Sequence, residues 1–386
     1  MQRLLVDSAY PINSLSPGGC AGGGTPGWTY TGNMDLRDGW NTAAPVRASF
    51  DNVGLFDLCP SPTGDAATQP AGVMGGPLLA NFSVGFVFPR SADQAATMTL
   101  WSAFPGSDEQ LAQNGFAPLR FNLRGGASAG QGNGEASLSL PNSRVVLAAC
   151  AAPRSFSTTE PLETCARGES ALKASGQDLM LAVGTGEGPL IVSQSAWQRI
   201  AAQLGLASDA GTVGDLYTPF SPPTPARFLT VPRLAIFQGI PDSGWSGPCT
   251  ELARARRIEW ALANQNAGAC FQPCDANSGQ AIATRSYLEL GGPLDVAVVS
   301  ETSDVIRSLN ADTPPNPQVD GIIGAGTLAG TRLRLDYTSK PQGRVIAACE
   351  DDSTRDQCWS APSCWATGTP HVCFGQVPTA WAPVCP

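Results

Sequence analysis

Asp7 is where chemistry in this chain is most readily built. It lies in Leu4-Leu5-Val6-Asp7-Ser8-Ala9, an apolar run that ends in a carboxylate, a hydroxyl and a small residue, the pattern of a buried strand opening into a tight turn. The pattern recurs as Leu181-Ala182-Val183-Gly184-Thr185-Gly186, with the hydroxyl kept and the acid absent. Two carboxyl groups held close together share one proton, so that one serves as base toward a water while the other serves as acid. Here one half of such a pair is missing, because Gly184 has no side chain to donate or accept a proton. Each turn is followed at a distance by two apolar residues and a glycine, Val73-Met74-Gly75 in the first case and Ile322-Ile323-Gly324 in the second.

This twofold order resembles the two lobes of a pepsin-like aspartic peptidase, whose active turns read hydrophobic-hydrophobic-Asp-Thr/Ser-Gly. The resemblance spans most of residues 1–348 but rests on four short stretches, and it departs from the family at Ala9 and at Gly184. It implies a mostly β, bilobal, double-ψ barrel architecture with short helices. Asp7 is then the catalytic acid whose dyad partner position is occupied by Gly184. Ser8, Ala9, Thr185 and Gly186 support the two turns, with the hydroxyls cross-bracing them, while Val73, Met74, Gly75, Ile322, Ile323 and Gly324 pack behind as the ψ loops. Tyr10 to Leu15 and Glu187 to Ser193 correspond as the segments leaving the turns. In the family, strands precede the first turn, so a strand and an export leader are expected upstream of Met1.

Plainer readings stand beside these. Asp7 alone has a structural use, accepting backbone N–H groups of its own turn. Glu187 is the nearest acid to the second turn, but it follows Gly184 by three residues, and reaching Asp7 from there calls for a different backbone path. The pair is therefore read as lost. Two copies of Asp7 from two chains would require swapped lobes, and one chain already holds both halves, so a monomer is expected. The glycine run between Pro17 and Gly27 lacks the lysine of a phosphate loop. Ser193 and Ser195 lack a base, since His371 is the sole histidine and lies in a Cys-rich tail. Trp28 and Tyr30 fit either a flap over a cleft or ordinary packing.

Composition narrows the classes further. A chain of 386 residues with 43 glycines, 33 prolines and 14% charged residues is a turn-rich β protein rather than a bundle of long helices. A net charge of −9 disfavours nucleic acid as a partner, because phosphate binding needs concentrated basic surface. No apolar run reaches the roughly 20 residues of a spanning helix. Twelve cysteines without zinc-type spacing read as disulfides of an oxidising compartment, with no metal or other cofactor. Sequence proximity pairs Cys150 with Cys165, and Cys249 with Cys270 or Cys274.

The elements expected to carry the turns follow from periodicity. Residues 1–104 form an N-terminal lobe, 105–348 a C-terminal lobe, and 349–386 a disulfide-stapled tail. Each lobe ends with a short turn or helix leading into an alternating strand, at Leu78 to Phe88 and at Thr327 to Tyr337. A long hairpin joins Phe116–Leu123 to Ala136–Leu147. Helices are predicted over Ser193–Leu204, with a serine cap, and over Cys249–Asn264. Thr218–Pro225 and Thr313–Pro317 are predicted as proline-rich loops. The expected protein lies outside the cytoplasm, is inactive or impaired as a peptidase, and binds an extended peptide or protein between its lobes. An active peptidase with a second, unlocated carboxylate, and a structural cell-surface protein, are the alternatives.

Overall fold

The computed structural model describes residues 4–9, 14–15, 29–37, 46–56, 72–91, 94, 96–102, 106, 110–111, 116–124, 128–129, 138–139, 144–153, 176–208, 211–218, 221–239, 247–253, 255, 286–310, 318–337, 342–350 and 357–361. The fold is mostly β with short helices. Five strands open the chain: β1 (Leu4–Asp7), β2 (Ser14–Leu15), β3 (Thr29–Arg37), β4 (Val46–Phe56) and β5 (Gly72–Gly75). β1 runs parallel to β5 with Asp7 opposite Gly75, β2 runs antiparallel to β5, and β2 pairs in parallel with β4.

The same interlacing occurs again. After α1 (Gly76–Leu79), β6 (Ser83–Phe88) and β7 (Thr97–Trp101), the chain forms β8 (Ala117–Arg124), β9 (Ser128–Ala129), β10 (Leu138–Ser139) and β11 (Arg144–Ala152). It continues through β12 (Gln177–Val183), β13 (Leu190–Ser193), α2 (Gln194–Leu204), β14 (Thr212–Thr218), β15 (Ser221–Phe237) and β16 (Tyr287–Val299). The last elements are α3 (Asp304–Asn310), β17 (Gly321–Ile323), β18 (Thr331–Asp336), β19 (Gln342–Cys349) and β20 (Cys358–Ala361). β12 runs parallel to β17, β13 antiparallel to β17, and β13 parallel to β16. The register also repeats, for Val6 faces Met74 as Val183 faces Ile323. Two interlaced ψ motifs with a common register are the bilobal pepsin-like architecture that the repeated turns imply.

Local sequence explains the elements around the second motif. Ser193 caps α2 by accepting the Ala196 N–H at 3.2 Å, and Gly205 ends it at φ 65°, where a side chain would be strained. Ala196, Trp197, Ile200 and Ala201 are its buried stripe. β11 is buried along its whole length, and its alanines leave room for neighbours on both faces. It pairs with β8, closing the predicted hairpin, and with β12 and β15. β6 and β18, the strands that follow the two ψ motifs, pair with each other and join the halves.

Three expectations change. Residues 221–225 belong to β15 rather than to a loop, and Pro225 pairs with Asp215 on β14. β16 begins to pair with β15 only at Ala226, so the prolines sit where one flank of the strand needs no N–H donor. Cys150 bonds to Cys249, and Cys349 to Cys358, so neither proximity pairing holds for Cys150 or Cys249. The reason is that the helical turn at 248–253 packs its cysteine on β11, 99 residues away in sequence. Residues 358–361 of the expected tail pair with β16 as β20. Residues 265–274, 313–317 and 362–386, with the predictions that fall on them, lie outside the described residues. Because Cys150–Cys249 closes so long a loop, the C150A/C249A variant is expected to lose on the order of 3–5 kcal/mol in denaturant unfolding. A loss under about 1 kcal/mol would show that the bond does not restrain the unfolded chain.

Candidate active site

The two turns meet. Ser8 Oγ donates to the Val183 carbonyl at 2.7 Å, Thr185 Oγ1 donates to the Val6 carbonyl at 3.0 Å, and the Ser8 N–H donates to Thr185 Oγ1 at 3.1 Å. Each hydroxyl thus binds the strand that carries the other. Gly186 lies flat on Asp7, since a Cβ placed there would stand 2.9 Å from Asp7 Cβ and Cγ. Ala9 is buried and donates its N–H to Asp7 Oδ1 at 2.9 Å.

The space beside Asp7 over Gly184 is not vacant. A Cβ on Gly184 would fall 2.1 Å from Glu187 Oε2 and 2.6 Å from Ile322 Cγ2, so the Glu187 carboxyl occupies the place where a side chain at 184 would begin. Asp7 and Glu187 are close enough that each shifts the other's titration, and a proton between them would complete a side-chain hydrogen bond. This overturns the expectation that Glu187 lies out of reach. The segment 184–189 makes two consecutive bends, and the longer glutamate side chain folds back over a residue that offers no obstruction. Gly324 makes those bends possible, because a Cβ there would strike the carbonyls of Glu187, Gly188 and Pro189 at 2.4–2.8 Å. The Ala325 N–H pins the Glu187 carbonyl at 2.7 Å, and the Gly184 N–H holds the Ile323 carbonyl at 3.0 Å. Val73, Met74, Gly75, Ile322 and Ile323 are all buried behind the turns, in the ψ strands.

Both carboxyls are shut off from solvent, at 0% and 2% exposure. Burial pushes Asp7 from 3.8 up to about 6, against the lowering pull of the Ala9 N–H, the Glu187 hydrogen bond, the Gly186 N–H and the Arg144 charge. Burial also pushes Glu187 well above the usual carboxylate range, and the negative charge of Asp7 pushes it further. No protein donor reaches Asp7 Oδ2 or either Glu187 oxygen with normal geometry. A single proton held between the two groups would satisfy these oxygens.

In the sequence Glu187 is set aside for standing three residues past Gly184, whereas Arg144 escapes it, visible only as a charge opening the apolar strand Arg144-Val145-Val146-Leu147. Trp28 lies outside the described residues, and of Tyr30 only the backbone, in β3, is described. Ser193 is the α2 cap described above, with Ser195 3.2 Å from it.

No protein-family model matches the chain, and no curated protein does. Among solved structures it is similar to Basic 7S globulin from soybean, at 11% identity and a TM-score of 0.40, over 91% of this chain and 89% of that one.

If the hydroxyl lattice sets the distance between the turns, Thr185→Val removes the acceptor for the Ser8 N–H and the donor to Val6. Chemical denaturation should register a loss of about 1–3 kcal/mol, the cost of stranding buried polar groups. An unchanged midpoint would mean the turns are held by packing alone.

Proposed function

We propose that this chain is an acid–base hydrolase of peptide bonds in which Asp7 and Glu187 form the proton-sharing pair. The observation that carries the proposal is the Glu187 carboxyl standing in the space above Gly184, beside Asp7. The one-proton form has Asp7 ionised and Glu187 neutral. As a water attacks the carbonyl carbon of an extended peptide, the Asp7 carboxylate takes a water proton and Glu187 gives its own to the carbonyl oxygen, leaving a geminal diol. On collapse, Asp7 passes its proton to the departing nitrogen while Glu187 recovers one from a diol hydroxyl. The C–N bond breaks, acid and amine leave, and the pair again holds one proton. The ordering of both carboxyls by the cross-braced turns supports this division of labour.

The peptide would lie extended between the lobes, paired along its backbone. The disulfides Cys150–Cys249 and Cys349–Cys358 support an oxidising compartment outside the cytoplasm. Among the described residues no helix is long and apolar enough to cross a membrane. A second reading, in which the protein holds a peptide without cutting it, is favoured by the closure of both carboxyls from solvent.

Cleavage of a peptide library separates the two. The proposal expects cleavage whose rate rises through about pH 6, as Asp7 ionises, and falls at higher pH as Glu187 loses its proton. D7N and E187Q should each lower the rate by at least about 10²-fold. Peptide binding without cleavage from about pH 3 to about pH 8 would leave the binding reading.

A second expectation concerns Gly184. Gly184→Asp alone forces a third carboxyl into occupied space and should destabilise the fold, whereas G184D/E187G clears that space and should keep cleavage. Loss of all cleavage in a folded G184D/E187G would count against Glu187 standing in for the missing acid.

The stability of the fold should also carry the mark of the pair. Both pKa values are raised by folding, so the native state binds more protons than the unfolded chain above the ordinary carboxyl range. Stability contributed by the protonated pair is full below about pH 4 and is lost as pH rises through about 6. In thermal unfolding, E187Q should therefore be more stable than the wild type at neutral pH, by on the order of a few degrees. A less stable E187Q would argue against a buried, strained pair.

A further inference from the structure

Arg144 is a charged side chain at 3% exposure in a strand that is otherwise apolar. Its Nε donates to the Ala9 carbonyl at 3.3 Å, two residues beyond Asp7. Its Nη1 donates to the Ser308 carbonyl at 2.7 Å and to the Leu309 carbonyl at 3.4 Å, in the last turn of α3. One guanidinium thus ties together the Asp7 turn, the first residue of β11 and the negative end of a helix. A buried cation needs opposite charge around it. Two sources converge on it here, the carbonyl end of α3 and the Asp7 carboxyl.

We propose that Arg144 is the positioning residue of the carboxyl pair, holding the Asp7 turn against α3 and making Asp7, rather than Glu187, the ionised partner. The inference rests on the reading that the two carboxyls share one proton. It goes beyond that reading by assigning the roles: Asp7 is the base because it has the cation on its side, and Glu187 is the acid because its charged neighbour is Asp7 itself. Among the described residues, the groups that face Asp7 are Glu187 from the segment between β12 and β13, Arg144 from β11, and Tyr337 following β18. Tyr337 works in the same sense. Its buried hydroxyl has no hydrogen-bond partner, and burial together with the charge on Asp7 raises its pKa, so it stays neutral and adds no competing charge. The nearest charges on α3, Asp304 and Arg307, pair with each other at its exposed side, 2.7 Å apart.

The test reads the carboxyls directly, by ¹³C NMR titration of selectively labelled Asp and Glu, so its result does not depend on whether peptide is cleaved. Arg144→Gln keeps hydrogen-bond donors but removes the charge, and Arg144→Lys keeps the charge but loses the fork. R144Q should raise the Asp7 midpoint by about half a pH unit or more, while R144K stays within about two tenths of the wild type and unfolds at lower temperature. A merely structural arginine would lower the unfolding temperature in both variants and leave both midpoints unmoved, which would overturn the proposal.

A second comparison leaves Arg144 intact, in case R144Q does not fold. In E187Q the remaining Asp7 should titrate more than one unit below the remaining Glu187 in D7N, a gap wider than the roughly half-unit that separates the two residue types in water. A gap of half a unit or less, or the reverse order, would overturn the assignment. If the titrations behave as expected and no peptide is cleaved, the proposed hydrolysis fails while the role of Arg144 stands.

Discussion

The structure depends on one reciprocal contact, the exchange of hydroxyl hydrogen bonds between two turns from opposite halves of the chain. Ser8 reaches the strand end at Val183, and Thr185 reaches the strand end at Val6. Neither bond spans more than 3.0 Å, so the strands β1 and β12 cannot drift apart without stranding buried polar groups. The glycines around this contact are consequences of it. Gly186 is small because Asp7 lies against it, and Gly324 is small because the carbonyls of 187–189 lie against it. Close approach of two backbones fixes which positions can carry a side chain, and that in turn decides where an acid can stand.

Burying two carboxyls at such a contact is costly unless their charge is limited and balanced. The site meets this in two ways. On the proposed reading a shared proton limits the charge of the pair to one, and Arg144, which donates to carbonyls at the end of α3, supplies an opposite charge. Elsewhere the same protein neutralises buried charge by simple pairing, as between Arg344 and Asp336, which face each other across β18 and β19 at 2.8 Å. That pair balances fully and has no free oxygen chemistry to offer. The Asp7 site differs in leaving carboxyl oxygens without a protein donor, which is the condition for handling a proton.

The twofold fold was legible in the chain because the repeat is written in residue types that sterics enforce. Apolar strands, a hydroxyl after the turn and a glycine after two apolar residues recur in the same order, and the two ψ motifs form at those places in the same register. Strand boundaries near prolines were less legible, since a proline is forbidden only where a partner strand needs its N–H, and before Ala226 the β15 flank that faces β16 has no partner there. Disulfide partners were not legible at all. Cys150 and Cys249 become neighbours only when β11 and the turn at 248–253 pack together, which no spacing rule encodes. The second acid was hidden for a related reason. A motif fixes the position of a Cα, whereas chemistry needs the position of a carboxyl, and a glutamate displaced by three residues can put its oxygens where an aspartate would have put them.

The geometry makes Gly184 and Glu187 a single feature. With any side chain at 184, the Glu187 carboxyl has no room, because the first atom of that side chain would already lie 2.1 Å from Oε2. With a shorter residue at 187, the space over Gly184 would open as a polar void beside Asp7, which would lose the Glu187 carboxyl as its partner. An aspartate at 184 together with the present Glu187 would bury three carboxyls against one arginine, and repulsion among them would displace the loop that Ala325 holds at the Glu187 carbonyl. The space is therefore filled without collision at two ends, a side chain at 184 with a small residue at 187, or a glycine at 184 with a side chain at 187 long enough to reach back. Seen this way, the bare glycine is the space that the second carboxyl requires.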